Sequence, residues 1–365
     1  MSFSRRAFLA STFAAPMALK LSRAFGSPNP EESTDGRSPA MSFKDGKFRI
    51  LQLTDLHLGY NCPEGLERAA KTIEYTRTLL DVSKPDLAIL TGDIVWLEAT
   101  ALAGGYEEAW ARIVKPFEDA NVPYVMTLGN HDHELKIPAK AHYAAFSKSP
   151  LNMTRDVPYL PGAGNCYIPI VGADGKECRR LWIFDSHSYC RISDNPRIHA
   201  LSEVVDWEYD WIKPSQIQWY IKESQRAEEE NGGVPIPSLA FFHIPTPEYW
   251  ELYEKQQDGS WKPVEGVIGR RGEDPCSPRV NSGLVGAAIE RGDLEGIFVG
   301  HEHINDYIGV YKGIALAYGR KTGEECYGDL PHGGRIIDLT EGKPGFATRI
   351  VMLDGSTESE YTYKQ

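Results

Sequence analysis

The 365-residue sequence lacks a Cys-x-x-Cys pair, although it has six cysteines. This absence excludes a zinc ribbon, whose ligands come in such closely spaced pairs. No segment has the ~18 uninterrupted apolar residues that a membrane-spanning helix requires, and no internal repeat is visible. The sequence therefore predicts a globular protein without a permanent membrane anchor.

Positive charge is in short supply, because 39 lysines and arginines face 51 acidic residues, for a net charge of −12. A protein this acidic repels a phosphate backbone at long range, so no stable nucleic-acid partner is expected. A small phosphorylated substrate can still bind where metal cations neutralise the site locally.

Acidic residues are absent from residues 1–26, which from Ser4 read SRRAFLASTFAAPMALKLSRAFG. An arginine pair, a modest apolar stretch and then small residues are typical of a twin-arginine signal peptide. The alternative is an ordinary amphipathic N-terminal helix. We expect a signal peptide over 1–26, cleavage near Ala24, and a periplasmic or secreted protein.

The rest of the chain divides by composition. Residues 27–45 are polar, contain proline and lack periodicity, which predicts a flexible linker. We expect a single large domain over 46–355 and a C-terminal tail over 356–365. The six cysteines permit disulfides in an exported protein, but their irregular spacing fixes no pairing and buried free thiols are the alternative.

Short apolar runs alternate with helical patterns over the first third of this domain. The sequence predicts strands at 48–57, 86–94 and 122–134, with helices at 64–82 and in YEEAWARIVKPFEDA between them. Strand, helix and strand at this spacing indicate an α/β fold with parallel neighbours.

Five predicted strands end in polar residues. The segments are TDLH with Asp55 and His57, TGD with Asp93, GNHD with Asn130, His131 and Asp132, FFHIP with His243, and GHEH with His301 and His303. In open α/β sheets ligands bind beyond the carboxyl ends of the strands, so these side chains are expected to meet. Imidazole and carboxylate ligands without a thiolate suit Mn, Zn, Fe or Co, and Asp93 is a candidate to bridge two cations.

This ordered set resembles the calcineurin-like metallophosphoesterase superfamily over about residues 48–305. The resemblance implies a four-layer α/β/β/α sandwich of two mixed sheets, two divalent metal ions and hydrolysis of a phosphoester by a metal-bridging hydroxide. His131 would serve as general acid or transition-state stabiliser. The implied ligands are Asp55, His57, Asp93 and His303 for one metal, and Asp93, Asn130, His243 and His301 for the other.

The C-terminal segments GHEHINDYIG, YGRKTGEECYG and GGRIIDL are similar to phosphoesterases related to the purple acid phosphatases, of the short single-domain kind. Purple acid phosphatases have glycine where this chain has His57, and a tyrosine ligand where it has Trp96. Without that tyrosinate a divalent metal pair is expected. Trp96 also offers no carboxylate to orient His131, and Asp132 is the candidate for that role.

The expected function is an exported, dinuclear-metal-dependent phosphatase acting on a small phosphorylated substrate. One alternative is a phosphodiesterase or nucleotide pyrophosphatase with the same site. Another is an inactive metal-binding exported protein. Two further histidines are assigned no ligand role: His133 is expected in a loop, and His187 on a surface loop or, alternatively, against the substrate.

Overall fold

The computed structural model describes residues 35–59, 65–96, 105–134, 137–191 and 207–364. The chain from Ser33 to Gln365 forms one compact unit. The predicted signal peptide lies outside the described residues. No helix in the described ranges combines the length and the apolar character that crossing a membrane requires.

Within these ranges the chain forms six α-helices and seventeen strands, numbered here in chain order. The helices are α1 Gly65–Ser83, α2 Gly105–Ala120, α3 Asn130–Glu134, α4 Ala139–Phe146, α5 Pro214–Glu230 and α6 Leu284–Arg291, with a 3₁₀ helix at Pro247–Leu252. The strands are β1 Met41–Ser42, β2 Lys47–Leu53, β3 Leu87–Thr91, β4 Tyr124–Thr127, β5 Cys166–Val171, β6 Glu177–Ile183, β7 Tyr189–Arg191, β8 Trp207–Tyr209, β9 Ser238–Phe241, β10 Tyr253–Lys255, β11 Trp261–Pro263, β12 Leu294–Val299, β13 Ile308–Tyr311, β14 Ile314–Tyr318, β15 Gly333–Thr340, β16 Phe346–Met352 and β17 Thr357–Tyr363.

Two mixed sheets contain most of these strands. One has six strands in the order β17-β16-β15-β2-β3-β4, and the other has seven in the order β1-β5-β6-β9-β12-β14-β13. Strands β2, β3 and β4 run parallel to one another, as do β6, β9, β12 and β14. Two short ribbons, β7–β8 and β10–β11, lie outside the sheets.

Three apolar clusters show how the layers stack. The central cluster joins residues of both sheets, among them Ile50 and Ile89 from one and Phe241 and Phe298 from the other. The second cluster packs the six-stranded sheet against α1, α2 and α4, and the third packs the seven-stranded sheet against α5 and α6. Because successive strand residues face opposite sides, each sheet buries both faces. The predicted four-layer α/β/β/α sandwich is confirmed.

The predicted domain boundaries need correction at both ends. Residues 356–365 were expected to form a tail, but Thr357–Tyr363 is the edge strand of the six-stranded sheet. Its segment TESEYTY is too polar to signal a buried strand, yet Tyr363 packs against the central cluster. In the predicted linker, Met41–Ser42 pairs with β5, and Arg37 bridges to Tyr167. The domain therefore includes segments that composition assigned to its flanks.

Among the described cysteines, Cys166, Cys178, Cys276 and Cys326 are free thiols. Cys62 lies outside the described residues. The alternative of buried free thiols therefore holds for Cys166 and Cys326, which are buried.

Candidate metal centre

The carboxyl ends of strands from both sheets meet at one edge of the sandwich. Strands β2, β3 and β4 lead into Asp55, Asp93 and Asn130, and β9 and β12 lead into His243 and His301. The backbone N–H of His301 donates to the carboxylate of Asp55 at 3.2 Å, which joins the two sheets at this edge. The structure thus brings Asp55 and His301, which are 246 positions apart, into direct contact.

Glycines allow the loops to approach this closely. A Cβ at Gly129 would collide with the backbone nitrogen and carboxylate of Asp93. A Cβ at Gly300 would collide with the hydroxyl of Thr54, and one at Gly92 with the ring of His243. The glycines in TGD, GNHD and GHEH therefore serve backbone packing against the site.

The backbone is strained at four of the predicted ligands. Asp55, His57, Asp93 and His301 have φ values of 53°, 47°, 49° and 83°. The left-handed region costs a non-glycine residue about 1 kcal/mol or more, and such strain concentrates at functional sites. The surrounding packing must hold these four side chains in place against that cost.

One cluster of donor atoms surrounds Asp55. The Nε2 atom of His57 lies 3.8 Å from Asp55 Oδ1 and 3.6 Å from Asp93 Oδ2. The Nε2 atom of His303 lies 3.4 Å from Asp55 Oδ1. Donor atoms at such separations can share one cation with bonds of about 2.0–2.2 Å.

A second cluster lies on the other side of Asp93. The Nε2 atom of His243 is 3.1 Å from Asp93 Oδ2 and 3.2 Å from Asn130 Oδ1. Ligand atoms of Asp93, His243 and His301 all lie within 4.8 Å of one another. The Nδ1 atom of His243 contacts the carbonyl oxygen of Thr91 at 2.7 Å, which directs Nε2 toward the cluster. Asp93 belongs to both clusters, as a bridging ligand must.

Several imidazole nitrogens of these clusters are buried without a hydrogen-bond partner. They are both ring nitrogens of His57, Nε2 of His301 and Nδ1 of His303. Buried polar atoms are normally paired, so orphaned nitrogens among carboxylates call for a ligand. The donor set fits divalent cations that accept nitrogen and oxygen ligands.

Burial and neighbouring charges fix the protonation of these groups. Burial lowers the pKa of His57 to about 4 and that of His301 to about 3, so both rings are neutral at pH 7. Burial opposes the charge of His243, but the carboxylate of Asp93 outweighs it and raises the pKa of His243 to about 10. The imidazoles of His303 and His57 hold the pKa of Asp55 well below its usual range, against the effect of burial. A cation that takes His243 must therefore displace a proton.

His131 stands at the edge of the clusters rather than inside them. Its backbone N–H donates to Asp93 Oδ1 at 2.8 Å, and its Nε2 lies 4.0 Å from Asp93 Oδ2. Its side chain is 22% exposed, so a substrate can reach the ring. The Nδ1 atom contacts Glu134 Oε2 at 2.8 Å. Burial lowers the pKa of His131, but Asp93 and Glu134 outweigh it and raise the pKa above its ordinary value.

Asp132 does not orient His131, and that expectation is wrong. The buried carboxylate of Asp132 accepts backbone N–H groups of Ile94, Val95 and Gly129 at 3.1, 2.7 and 2.8 Å. It thereby ties the loop after β3 to the loop after β4. Burial, reinforced by the nearby charge of Asp93, raises the pKa of Asp132 to about 6. The sequence did not point to Glu134, because residues 122–134 were predicted as a strand with a polar end, whereas the helix α3 brings residues three apart together.

Aromatic rings cover three of the histidines. The pairs are Trp96 with His131, Tyr327 with His303 and Tyr209 with His301, with ring centroids 3.9, 4.2 and 4.6 Å apart. Trp96 lies 22° from parallel to its partner, so it stacks on the imidazole. This aromatic rim borders the site where a substrate would enter.

A thiol lies beside the first cluster, although none was expected among the donors. The Sγ atom of Cys326 is within 4.8 Å of ligand nitrogens of His57 and His303, and it donates to the carbonyl oxygen of Asp55 at 2.9 Å. Burial, with the charge of Asp55, raises the pKa of Cys326 well above its usual range. No local sequence pattern predicts this contact of Cys326, because it depends on the path of the loop after β14.

The two remaining histidines near the site make structural contacts. His133 lies on α3, where its Nε2 is 3.2 Å from Asp185 Oδ1. His187 is buried, with Nε2 2.9 Å from Gln216 Oε1, so the expected surface-loop position is wrong. The carboxylate and amide partners account for both rings.

Known proteins share this sequence pattern and this fold. The family profile of the calcineurin-like phosphoesterases matches residues 48–305. Two relatives from Arabidopsis thaliana are named probable inactive purple acid phosphatases. Number 14 is 28% identical, covering 82% of this chain and 77% of the relative, and number 29 is 30% identical, covering 82% and 79%. Phosphatase DCR2 of Saccharomyces cerevisiae is 31% identical over 72% of this chain, which spans 45% of that protein.

A solved structure shows the same architecture. A dimetal phosphatase from Danio rerio has a TM-score of 0.56, with 87% of this chain and 98% of that chain covered. The sequences are 11% identical, so the likeness concerns the fold alone.

Proposed function

Because the chain belongs to the calcineurin-like phosphoesterase family, we propose that it is an exported phosphatase that uses two divalent metal ions. The substrate would be a small phosphorylated molecule. Manganese, zinc, iron and cobalt all suit the nitrogen and oxygen donors.

The observation that carries this proposal is the convergence of both sheets on Asp93. Its carboxylate takes part in two groups of donor atoms, one with Asp55 and His57 and one with His243 and His301. Five buried side chains would not be placed here, with orphaned imidazole nitrogens, without a ligand to satisfy them.

Two divalent cations held at these groups would supply Lewis-acid charge and lower the pKa of a water molecule. The protein's own residues do the rest. The strained backbone and the glycines hold the donors in place, and His131 presents a partly exposed imidazole beside Asp93. As the bond from phosphorus to the leaving oxygen breaks, the electron pair goes to that oxygen. His131 donates the proton that this oxygen takes up, while the water oxygen forms the new bond to phosphorus and one proton of that water is lost to solvent.

The direct test is steady-state hydrolysis of p-nitrophenyl phosphate after reconstitution with manganese, then zinc, iron or cobalt. Asp93→Asn is expected to lose turnover by orders of magnitude and to bind less metal. Asp86→Asn is the matched control, because Asp86 lies at the opposite end of β3 and pairs with Lys44. Full activity in Asp93→Asn would refute the proposal.

A phosphodiesterase or nucleotide pyrophosphatase is the second candidate. The aromatic rim favours it, because uncharged rings suit a diester monoanion better than a monoester dianion. A monoester dianion would need an additional cationic group, and Lys321 does not provide it. Its ammonium already donates to the carbonyl oxygens of Tyr327 and Gly328 at 2.6 and 2.8 Å. Faster cleavage of bis(p-nitrophenyl) phosphate than of the monoester, at equal concentration, would select this candidate.

An inactive metal-binding protein is a third candidate, which the names of the Arabidopsis relatives bring into view. The presence of His131 and of every predicted ligand argues against it for this chain. Metal binding without hydrolysis of either substrate would favour it.

Export is proposed from the sequence of the first 26 residues. Replacement of Arg5 and Arg6 by lysines is expected to leave the protein in the cytoplasm, since twin-arginine export requires the pair. Arg37→Lys, beyond the predicted cleavage point, serves as the control. Unchanged fractionation of the double-lysine variant would contradict the proposal.

A further inference from the structure

We infer that Glu134 is a positioning residue, which holds the His131 imidazole with Nε2 toward the phosphoester while Tyr189 holds Glu134. The inference rests on the proposed function for its catalytic meaning. It also predicts the tautomer and orientation of the His131 ring, which can be measured even in the absence of turnover.

The first observation is the contact between the carboxylate and the ring. Glu134 Oε2 lies 2.8 Å from His131 Nδ1, while Nε2 of the same ring points to Asp93 at 4.0 Å. A carboxylate accepts a hydrogen bond from Nδ1–H and so fixes both the tautomer and the ring orientation. Nε2 is then the nitrogen that faces the reacting atoms.

The second observation is that Glu134 is itself held. The hydroxyl of Tyr189 donates to Glu134 Oε1 at 3.0 Å, and Nδ2 of Asn130 donates to that hydroxyl oxygen at 3.2 Å. Because the Asn130 amide donates to the hydroxyl oxygen of Tyr189, the hydroxyl proton is directed to the carboxylate of Glu134. A continuous chain of hydrogen bonds therefore runs from a predicted metal ligand to the His131 ring.

The third observation concerns the remaining freedom of the ring. Trp96 stacks on the face of His131 at 3.9 Å between centroids, and Glu134 contacts its edge. Since Asp132 is committed to backbone N–H groups, Glu134 is the carboxylate in contact with Nδ1. Trp96 thus restrains the tilt of the imidazole, and Glu134 restrains its rotation.

The test compares leaving groups. A good leaving group such as p-nitrophenolate needs little protonation, whereas phenolate needs a well-placed acid. Glu134→Ala is expected to lower kcat for phenyl phosphate by about 10- to 100-fold and that for p-nitrophenyl phosphate by only a few-fold. KM and metal content should stay unchanged, and Glu134→Gln should recover part of the loss. An equal loss for both substrates, or none, would overturn the inference.

Two further variants guard against a folding artefact. Tyr189→Phe should show the same leaving-group pattern more weakly, and combined with Glu134→Ala it should add little, because both act through one ring. Glu108→Ala is the matched control, since Glu108 pairs with Arg112 on the remote helix α2 at 3.2 Å. Additive losses for the double variant would contradict the chain of hydrogen bonds.

Nitrogen NMR of the His131 side chain tests the inference even if the wild type hydrolyses neither substrate. At a pH where the ring is neutral, the proton is expected on Nδ1 in the wild type and on both nitrogens in exchange in Glu134→Ala. A wild-type ring protonated on Nε2 would overturn the inference. Absence of turnover together with the Nδ1-protonated ring would refute only the proposed function.

Discussion

Replacing Asp132 tests whether this carboxylate is structural. Asp132→Ala removes the acceptor for three buried N–H groups, of Ile94, Val95 and Gly129. Three bonds to a charged acceptor stabilise the fold by about 5 kcal/mol in total. Burial and the charge of Asp93 oppose these bonds and raise the pKa of Asp132 to about 6, so part of the stabilisation from the bonds is offset by the cost of burying the charge. The net loss of unfolding free energy should be about 2 kcal/mol.

Asp132→Asn should cost less, about 1 kcal/mol, because one amide oxygen still accepts backbone N–H groups while the –NH₂ cannot. Equilibrium urea unfolding of chelator-treated protein measures both values without a contribution from bound metal. With the metals restored, both variants should keep the leaving-group dependence of the wild type, since Glu134 is untouched. Unchanged stability together with a loss confined to poor leaving groups would refute this reasoning and return the orienting role to Asp132.

Three further predictions concern packing, pH and metal loading. Gly129→Ala should lower metal content although every ligand is retained, because its Cβ collides with Asp93, whereas Gly286→Ala faces open space and should not; elemental analysis decides. Burial raises the pKa of Asp338, but Arg49 and Arg349 outweigh this effect and lower it below its ordinary value. Asp338→Asn should therefore reduce the free energy of unfolding by about 1 kcal/mol at pH 7. That difference should vanish as the pH falls from about 4 through the lower folded pKa, as urea unfolding at several pH values would show. Metal binding at pH 7 should release a proton from His243, which an indicator dye in weak buffer can measure.

The sequence could predict the fold class and the residues that meet, because both rest on local patterns. Apolar runs that stop at polar residues mark buried strands, and parallel strands bring their carboxyl ends to one edge. The chain order of TDLH, TGD, GNHD, FFHIP and GHEH was enough to predict that Asp55, Asp93 and His243 lie close together. In the structure His243 Nε2 lies 3.1 Å from Asp93 Oδ2, and His57 Nε2 lies 3.8 Å from Asp55 Oδ1 and 3.6 Å from Asp93 Oδ2.

The sequence could not predict contacts that depend on helix geometry or on distant loops. Asp132 and Glu134 are both close to His131 along the chain, and only the short helix α3 turns Glu134 toward the ring and Asp132 toward the backbone. Cys326 lies 271 positions from Asp55, and only the loop after β14 brings its thiol to that carbonyl oxygen. The edge strand Thr357–Tyr363 was missed because polar residues carry no burial signal of their own.

The sequence by itself determined which residue types stand at the strand ends, and so the chemistry that the site can perform. Composition and periodicity are properties of short segments, so they predict local structure and residue chemistry whatever the tertiary arrangement. Only the tertiary structure decided which carboxylate serves His131 and which one ties the loops, because a side chain's direction depends on the backbone angles around it. It also decided that aromatic rings border the site, since Trp96, Tyr209 and Tyr327 come from separate parts of the chain.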